Sequence, residues 1–87
     1  MSKRGVEFLK FSLEEMLPHI EKYTVPQYGD APDDNVETWT AADCVRAIEK
    51  YVKRFGKNAR EGQEHLDMMK IAHFAQLAAN KIRRGVG

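Results

Sequence analysis

Residues 61–84 constrain the fold of this 87-residue chain more than any other stretch of it. Apolar side chains recur there so densely that they cover most of the circumference of an α-helix: Leu66, Met68, Met69, Ile71, Ala72, Phe74, Ala75, Leu77, Ala78, Ala79 and Ile82. A helix that is apolar on several sides must be covered on several sides. Because this helix would be about 33 Å long, two partner helices from one short chain can hardly cover it. We therefore predict a homo-oligomer, most simply a dimer in which the third helices meet; the alternative is coverage by the first helix and the segment from Phe8 to Phe11.

Two further segments carry a helical pattern, so the fold class is predicted to be all-α, a three-helix unit that forms an oligomeric helical bundle. The first helix, about residues 12–23, begins with Ser12-Leu13-Glu14-Glu15, which reads as a capping box. Its apolar residues recur at the spacings i, i+3, i+4 and i+7 of one helical face. Pro18 falls inside this pattern and predicts a kink, or a stop near Leu17 followed by a fresh turn.

The second helix, about residues 40–55, has signals at both ends. Thr40 is followed three residues later by Asp43, a weaker cap of the same type, and Gly56 follows the last apolar residue as a C′ glycine does. Its apolar stripe includes Cys44, which we interpret as a structural thiol. The third helix, about residues 61–84, has an acidic start and a basic end, which suits the helix dipole, and Gly85 closes it.

Residues 24–39 are predicted to form a long polar loop, because neither helical nor strand periodicity survives there. A structureless stretch of this length is uncommon in a small domain and is often functional. The loop also holds the main acidic cluster of the chain, which consists of Asp30, Asp33, Asp34 and Glu37. Residues 1–87 are predicted to be a single helical domain, with flexible tips at residues 1–5 and 85–87.

Composition excludes several classes of protein. Lysine and arginine number 14 against 13 aspartate and glutamate, and this net charge of +1 gives no global argument for binding nucleic acid or a membrane surface. No run of about 18 apolar residues exists to span a bilayer, and the basic start lacks the apolar region of a secretory signal. The single cysteine fits a reducing compartment, so we expect a cytoplasmic protein.

Carboxylates at steps of three residues open the third helix. Of Glu61, Glu64 and Asp67, the last two are near neighbours on a helix surface. Paired carboxylates on a rigid helix suit Mg²⁺, a hard cation that takes oxygen ligands and keeps several waters. The alternative is an acidic helix N-terminus that the dipole favours.

Basic residues occupy the other faces of the second helix and the turn after it: Arg46, Lys50, Lys53, Arg54 and Lys57. Lys50 and Arg54, four residues apart, point the same way and could hold a phosphate. The alternatives are a solvated face, or salt bridges to the acidic start of the third helix, which the short turn at Gly56 brings alongside.

Other motifs are weak or missing. His73 could contact a base or phosphate, and a partly buried structural histidine is an equal alternative. No HxxxH or CxxC pair exists, which disfavours a zinc site. The chain also has no G-x-x-x-x-G-K-[ST] and no GxGxxG sequence, which disfavours a P-loop kinase and a Rossmann site.

Two blocks in the second half of the chain resemble small helical proteins of nucleotide metabolism from phages and prophages. These blocks are Lys50-Tyr51-x-x-Arg54-x-Gly56-Lys57 and Asp67-x-x-Lys70-x-x-His73-Phe74. They are similar to motifs that read roughly KYxxRxGK and DLxKAxxYL in the N-terminal region of dATP/dGTP diphosphohydrolases and, more distantly, in MazG-like all-α nucleotide pyrophosphohydrolases. The tract from Tyr28-Gly29-Asp30 to Trp39 resembles the YG…NW segment of such proteins, so the resemblance covers about residues 28–80.

The resemblance implies Mg²⁺-dependent cleavage of a nucleoside triphosphate to a monophosphate and pyrophosphate. It implies catalytic roles for Glu64, Asp67 and His73, Mg²⁺ ligation by Glu64, Asp67 and Asp30, and phosphate binding by Lys50, Arg54, Lys57 and Lys70. Tyr28 or Trp39 could stack on the base, a Trp39 buried beside the second helix cap being the alternative. The second ExxE of the all-α pyrophosphohydrolases is missing from the preceding helix, so loop acids or a second subunit would have to complete the metal site.

Two other functions stay open on the sequence. One is a non-catalytic helical adaptor that acts through its oligomer surface. The other is a nucleic-acid-binding protein that uses the basic second helix. A helix-turn-helix is disfavoured, because the acidic start of the third helix would repel the phosphates of the groove it had to enter.

Overall fold

The computed structural model describes residues 1–30, 38–57 and 60–85, and all regular structure within these ranges is helical. The predicted all-α fold with three helical stretches is confirmed. The chain divides into two compact units, Met1–Asn35 and Val36–Gly87. Within the described ranges, no helix combines the length and the apolar composition that crossing a bilayer requires.

The first unit contains one continuous helical stretch that begins earlier than predicted. It consists of α1 (Lys3–Phe11), a π-helical segment (Ser12–Met16), α2 (Leu17–His19), a second π-helical segment (Ile20–Thr24) and α3 (Val25–Tyr28). The predicted capping box at Ser12 is wrong: Ser2 is the N-cap, and its hydroxyl accepts the Gly5 N–H at 3.0 Å. The Ser12 hydroxyl instead donates to the Phe8 carbonyl, four residues back, at 2.9 Å. A serine hydroxyl can make either bond, so the capping pattern by itself did not locate the helix start.

Two prolines explain the π-helical segments. The residue before each proline bonds five positions back, Leu17 to the Ser12 carbonyl and Val25 to the Ile20 carbonyl. Proline has no N–H, and its ring crowds the carbonyl four residues earlier, so a wider turn ahead of it keeps the helix going. The stretch therefore does not stop near Leu17 but runs on to Tyr28, and residues 24–28, predicted as loop, are helical.

The second unit is built on two helices, α4 (Ala41–Arg54) and α5 (Gln63–Arg83). The predicted cap of α4 is confirmed as a full capping box: the Asp43 N–H donates to the Thr40 hydroxyl, and the Thr40 N–H donates to the Asp43 carboxylate. Gly56 follows the end of α4 with a φ of 78°, the left-handed conformation expected of a C′ glycine. Gly56 lies in the connection between α4 and α5, which run in opposite directions.

The bounds of α5 differ from the prediction at its start. Gly62 is the N-cap, with a φ of 80°, so Glu61 precedes the helix instead of lying in its first turn. At the other end the helix stops at Arg83, and Gly85 has a φ of 82°, as expected of a closing glycine.

The core of the second unit lies between α4 and the C-terminal half of α5. Ala41, Cys44 and Ala78 are buried there, and they pack against partly buried hydrophobic side chains: Trp39, Phe74 and Leu77. Cys44 is completely buried, which confirms its interpretation as a structural thiol. Because Cys44 packs near Ala78 while Arg54 reaches back to Asp67, the two helices run antiparallel.

Some predictions lie outside the described residues. They include most of the acidic cluster, Asp33, Asp34 and Glu37, together with Asn58 of the turn and residues 86–87 of the C-terminal tip.

Candidate functional site

An ion pair between Arg54 and Asp67 is the best-defined polar contact between α4 and α5. Arg54 donates from Nε to Oδ2 of Asp67 at 3.2 Å and from Nη2 to Oδ1 at 2.6 Å. Gln63, one turn earlier on α5, donates its Nε2 to the same Oδ1 at 2.8 Å. The Asp67 side chain is buried, whereas that of Arg54 is 36% exposed. This is the salt bridge to the start of the third helix that the sequence allowed as an alternative to a phosphate site.

These donors keep Asp67 ionised. The hydrogen bond from Arg54 is the main cause that lowers the pKa of Asp67 below its ordinary 3.8; the bond from Gln63 and the positive charges of Arg54 and Lys70 add to it, while burial opposes them. A carboxylate held by three donor groups has little free coordination capacity for a cation. As a metal ligand, Asp67 would have to give up bonds that it already makes.

Three cationic side chains surround the ring of Tyr51. The ring centroid lies 5.1 Å from Lys50 Nζ, 5.1 Å from Arg54 Cζ and 5.3 Å from Lys70 Nζ. These distances are within the range of cation–π attraction. We call this group the Tyr51 cluster (Lys50, Tyr51, Arg54 and Lys70). It brings together three of the four residues predicted to bind phosphate, whereas Lys57 lies beyond Gly56 and is exposed.

The cluster continues into a basic surface on α4. Arg46, Lys50, Lys53 and Arg54 line one open depression together with Glu49. Arg46 also pairs with Asp43 of the capping box. The surface is therefore strongly cationic although the whole chain is almost neutral.

The predicted metal ligands have different surroundings. Glu64 is exposed on α5, Asp67 is engaged by Arg54, and Asp30 belongs to the other compact unit. Within residues 1–30, 38–57 and 60–85, no group of three or more histidine, cysteine, aspartate or glutamate residues is placed to hold a metal ion. Mg²⁺ ligation by these residues stays a prediction of the resemblance.

The aromatic residues predicted to stack on a base have ring partners within the protein. Trp39 stacks on Phe74 with the centroids 6.0 Å apart and the planes at 14°. Phe74 in turn stacks on Tyr51 at 6.2 Å and 23°. Trp39 thus packs on the core beside the cap of α4, as the alternative interpretation expected. Tyr28, in the first unit, is exposed and meets the edge of Tyr23 at 6.4 Å.

His73, the third residue predicted to be catalytic, is half-buried on α5. Burial lowers the pKa of its imidazole below the ordinary 6.5, because an apolar environment disfavours the charged form. The side chain is therefore mainly neutral near pH 7.

Three features of the site were not anticipated from the sequence. Lys81 belongs to the basic end of the third helix, whose charges suit the helix dipole. Its side chain is nevertheless buried, with 2% exposure. Gln63 was not singled out, although its spacing of four from Asp67 is a signal for a side-chain hydrogen bond on one helix face. Tyr51 was given no role of its own, although it follows Lys50 directly and precedes Arg54 by three residues, and these neighbours were the available signal.

Comparison of the chain with protein-family models, with curated proteins and with solved structures finds no significant match.

Proposed function

We propose that this chain binds the phosphate groups of a nucleotide at the Tyr51 cluster. The observation that carries the proposal is the convergence of Lys50, Arg54 and Lys70 on one aromatic ring. Like charges this close repel one another, and Asp67, which Arg54 engages and whose pKa the charge of Lys70 also lowers, brings a single negative charge to this group of three cations. Cation–π attraction offsets a part of the repulsion. A phosphate would add negative charge where the three cations converge, and this convergence supports an anionic ligand here.

The parts of the cluster suit different tasks. Asp67 holds the guanidinium of Arg54 in place with two hydrogen bonds, which orders a side chain that is otherwise flexible. Lys50 and Lys70 come from different helices, so both α4 and α5 contribute an ammonium group near the ring. An ammonium group is a compact charge with three donors, well suited to a phosphate oxygen. The nucleotide class of ligand rests on the resemblance of the two sequence blocks.

Calorimetric titration with deoxynucleoside triphosphates, with and without Mg²⁺, tests the proposal. Lys50→Ala and Lys70→Ala should each weaken binding roughly tenfold, the effect of losing one charge-assisted contact. Lys53→Ala is the matched control, because it removes the same charge from the same helix outside the Tyr51 cluster, and it should change affinity little. No heat of binding and no thermal shift with any nucleotide would contradict the proposal.

The Lys53→Ala control also distinguishes nucleotide binding from the alternative of nucleic-acid binding. If Lys53→Ala weakens binding as much as Lys50→Ala, the attraction belongs to the basic surface of α4 as a whole. In that case duplex DNA should bind better than free nucleotides, with an affinity that falls steeply as salt is added. That outcome would replace the nucleotide proposal.

Hydrolysis of a bound triphosphate stays a prediction of the resemblance. Pyrophosphate release in the presence of Mg²⁺ measures it directly. If Glu64 takes part, Glu64→Gln should abolish release, whereas Glu61→Gln, which changes a carboxylate just ahead of α5, should not. Binding without release would indicate a nucleotide-binding protein that is not an enzyme.

A further inference from the structure

The α4–α5 hairpin carries an apolar face that its own helices do not cover. On α4 and just after it, Val45, Val52 and Phe55 are 45%, 55% and 52% exposed. On α5, Met68 is 38% and Ile82 is 65% exposed, and Ala75 is exposed as well. We call this set, with the partly buried Ile48 and Ile71 and the buried Ala78 between its members, the apolar face.

The spacing of the apolar face is that of helices packed in a bundle. Along α4 its members are separated by steps of three, four and three residues: Val45, Ile48, Val52 and Phe55. Along α5 the steps are three, four, three and four: Met68, Ile71, Ala75, Ala78 and Ile82. Steps of three and four keep side chains on one seam of a helix, as in coiled coils and four-helix bundles.

Both seams point to the same side of the hairpin. Each exposed member follows directly after a position that packs between the helices: Val45 after Cys44, Val52 after Tyr51, Phe55 after Arg54, Met68 after Asp67, Ala75 after Phe74, and Ile82 after the buried Lys81. One residue turns a helix by about 100° in a fixed sense. Because α4 and α5 run antiparallel and face each other, that same turn carries both seams to one side.

We propose that the apolar face is the interface on which a second copy of this chain docks, forming a four-helix bundle of two hairpins. Its two seams are complementary, because α4 presents a ridge of large exposed side chains and α5 presents a shallow groove at the small exposed Ala75, between Met68 and Ile82. A two-fold axis parallel to the helices lays α4 of one copy over α5 of the other. The ridge of α4 from each copy then lies along the α5 seam of its partner, and both copies make the same contact.

The small core of the isolated chain supports a second copy as the occupant. Among the described residues, the buried hydrophobic side chains are Ala41, Cys44, Met69 and Ala78, three of them small. A hairpin with so little buried apolar surface needs more to be stable, and small domains commonly obtain it by association. Pairing the apolar faces would bury Val45, Val52 and Ile82 at once.

The interface leaves the Tyr51 cluster accessible. Lys50 is two residues before Val52 and therefore lies about 160° from it around α4. The inference thus stands apart from nucleotide binding, and either of the two proposals can fail without the other.

Sedimentation equilibrium of the full chain over a wide concentration range tests the inference. The wild type should reach twice the 10.0 kDa mass of the chain. Ala75→Glu places a charge in the groove and should shift the protein to the monomer. Gln76→Glu is the matched control, because it adds the same charge at the neighbouring exposed position off the apolar face, and it should leave the dimer intact.

Two further measurements keep the inference testable if Ala75→Glu fails to fold. Val52→Lys changes the ridge instead of the groove and should also give the monomer. The melting temperature of the wild type should rise with protein concentration, as it does when unfolding is coupled to dissociation. A wild type that stays at 10.0 kDa with a constant melting temperature, or a dimer that survives both variants, would overturn the proposal.

Discussion

At the scale of single residues, Asp67 makes the best-defined polar contact between α4 and α5. The buried carboxylate joins α4 to α5 through Arg54, so it stabilises the hairpin and also orders one member of the Tyr51 cluster. Removing a charge from a buried pair leaves its partner uncompensated, and this usually costs more than the pair itself contributes. The same residue therefore links stability to the proposed function.

Asp67→Asn should lower the free energy of unfolding by about 2 kcal/mol, less than for a fully buried pair because Arg54 stays partly hydrated. Urea unfolding followed by circular dichroism measures the change. Glu64→Gln, an exposed carboxylate three residues earlier on the same helix, should stay within about 0.5 kcal/mol of wild type. Equal effects of the two variants would contradict the assigned role of the ion pair.

His73 should make the protein less stable as the pH falls. Its pKa is lowered in the folded chain, so the unfolded chain binds the proton first, and the free energy of unfolding decreases as the pH drops below about 6.5. In His73→Gln the loss between about pH 7 and about pH 5 should become smaller. Asp67, whose pKa is also lowered, adds to the loss only at more acidic pH, below its ordinary 3.8.

At the scale of helices, the ends of α4 and the prolines of the first stretch follow from local chemistry. The Thr40–Asp43 capping box satisfies backbone donors that have no partner within the helix. Pro18 and Pro26 each follow a widened turn, which lets the helix pass them without ending. Local rules thus predicted the cap of α4 correctly. At Pro18 they predicted a kink or a stop, and the helix continues past this proline.

Thr40→Ala should lower the free energy of unfolding by about 1 kcal/mol, because the Asp43 N–H loses its acceptor at the start of α4. Thr38→Ala is the matched control, since Thr38 is exposed and precedes the cap. Urea unfolding of both variants gives the comparison. A loss in Thr38→Ala as large as in Thr40→Ala would mean that the effect does not come from capping.

At the scale of the whole molecule, few of the hydrophobic side chains that the structure describes are buried, and large ones are exposed in both units. Cys44 lies in the core of the second unit with no exposed surface. In the first unit, Phe8, Leu13 and Leu17 are 69%, 57% and 48% exposed. A chain with this distribution is suited to association, in line with the interface proposed on α4 and α5.

The Cys44 thiol should therefore be a probe of hairpin opening. An aromatic disulfide reagent should label it slowly in native buffer and at once in concentrated guanidinium chloride, since labelling requires α4 and α5 to separate. In a Cys44→Ala background, Gln76→Cys supplies an exposed thiol that should react rapidly in both conditions. Rapid native labelling of Cys44 would show that the hairpin opens without global unfolding.

The sequence by itself determined the helical class, the cap of α4, the glycine turns at Gly56 and Gly85 and the burial of Cys44. These features depend on neighbours a few residues apart, whose chemistry can be read along the chain. Only the tertiary structure decided that Arg54 pairs with Asp67, that Trp39 stacks on Phe74 and that Lys81 is buried. A charged or aromatic side chain can be paired, stacked or solvated, and its neighbours in the folded chain determine which of these occurs. The same reason applies to the acidic start of α5: spacing places carboxylates on one face of a helix, but it does not show that Arg54 of the opposing helix engages Asp67.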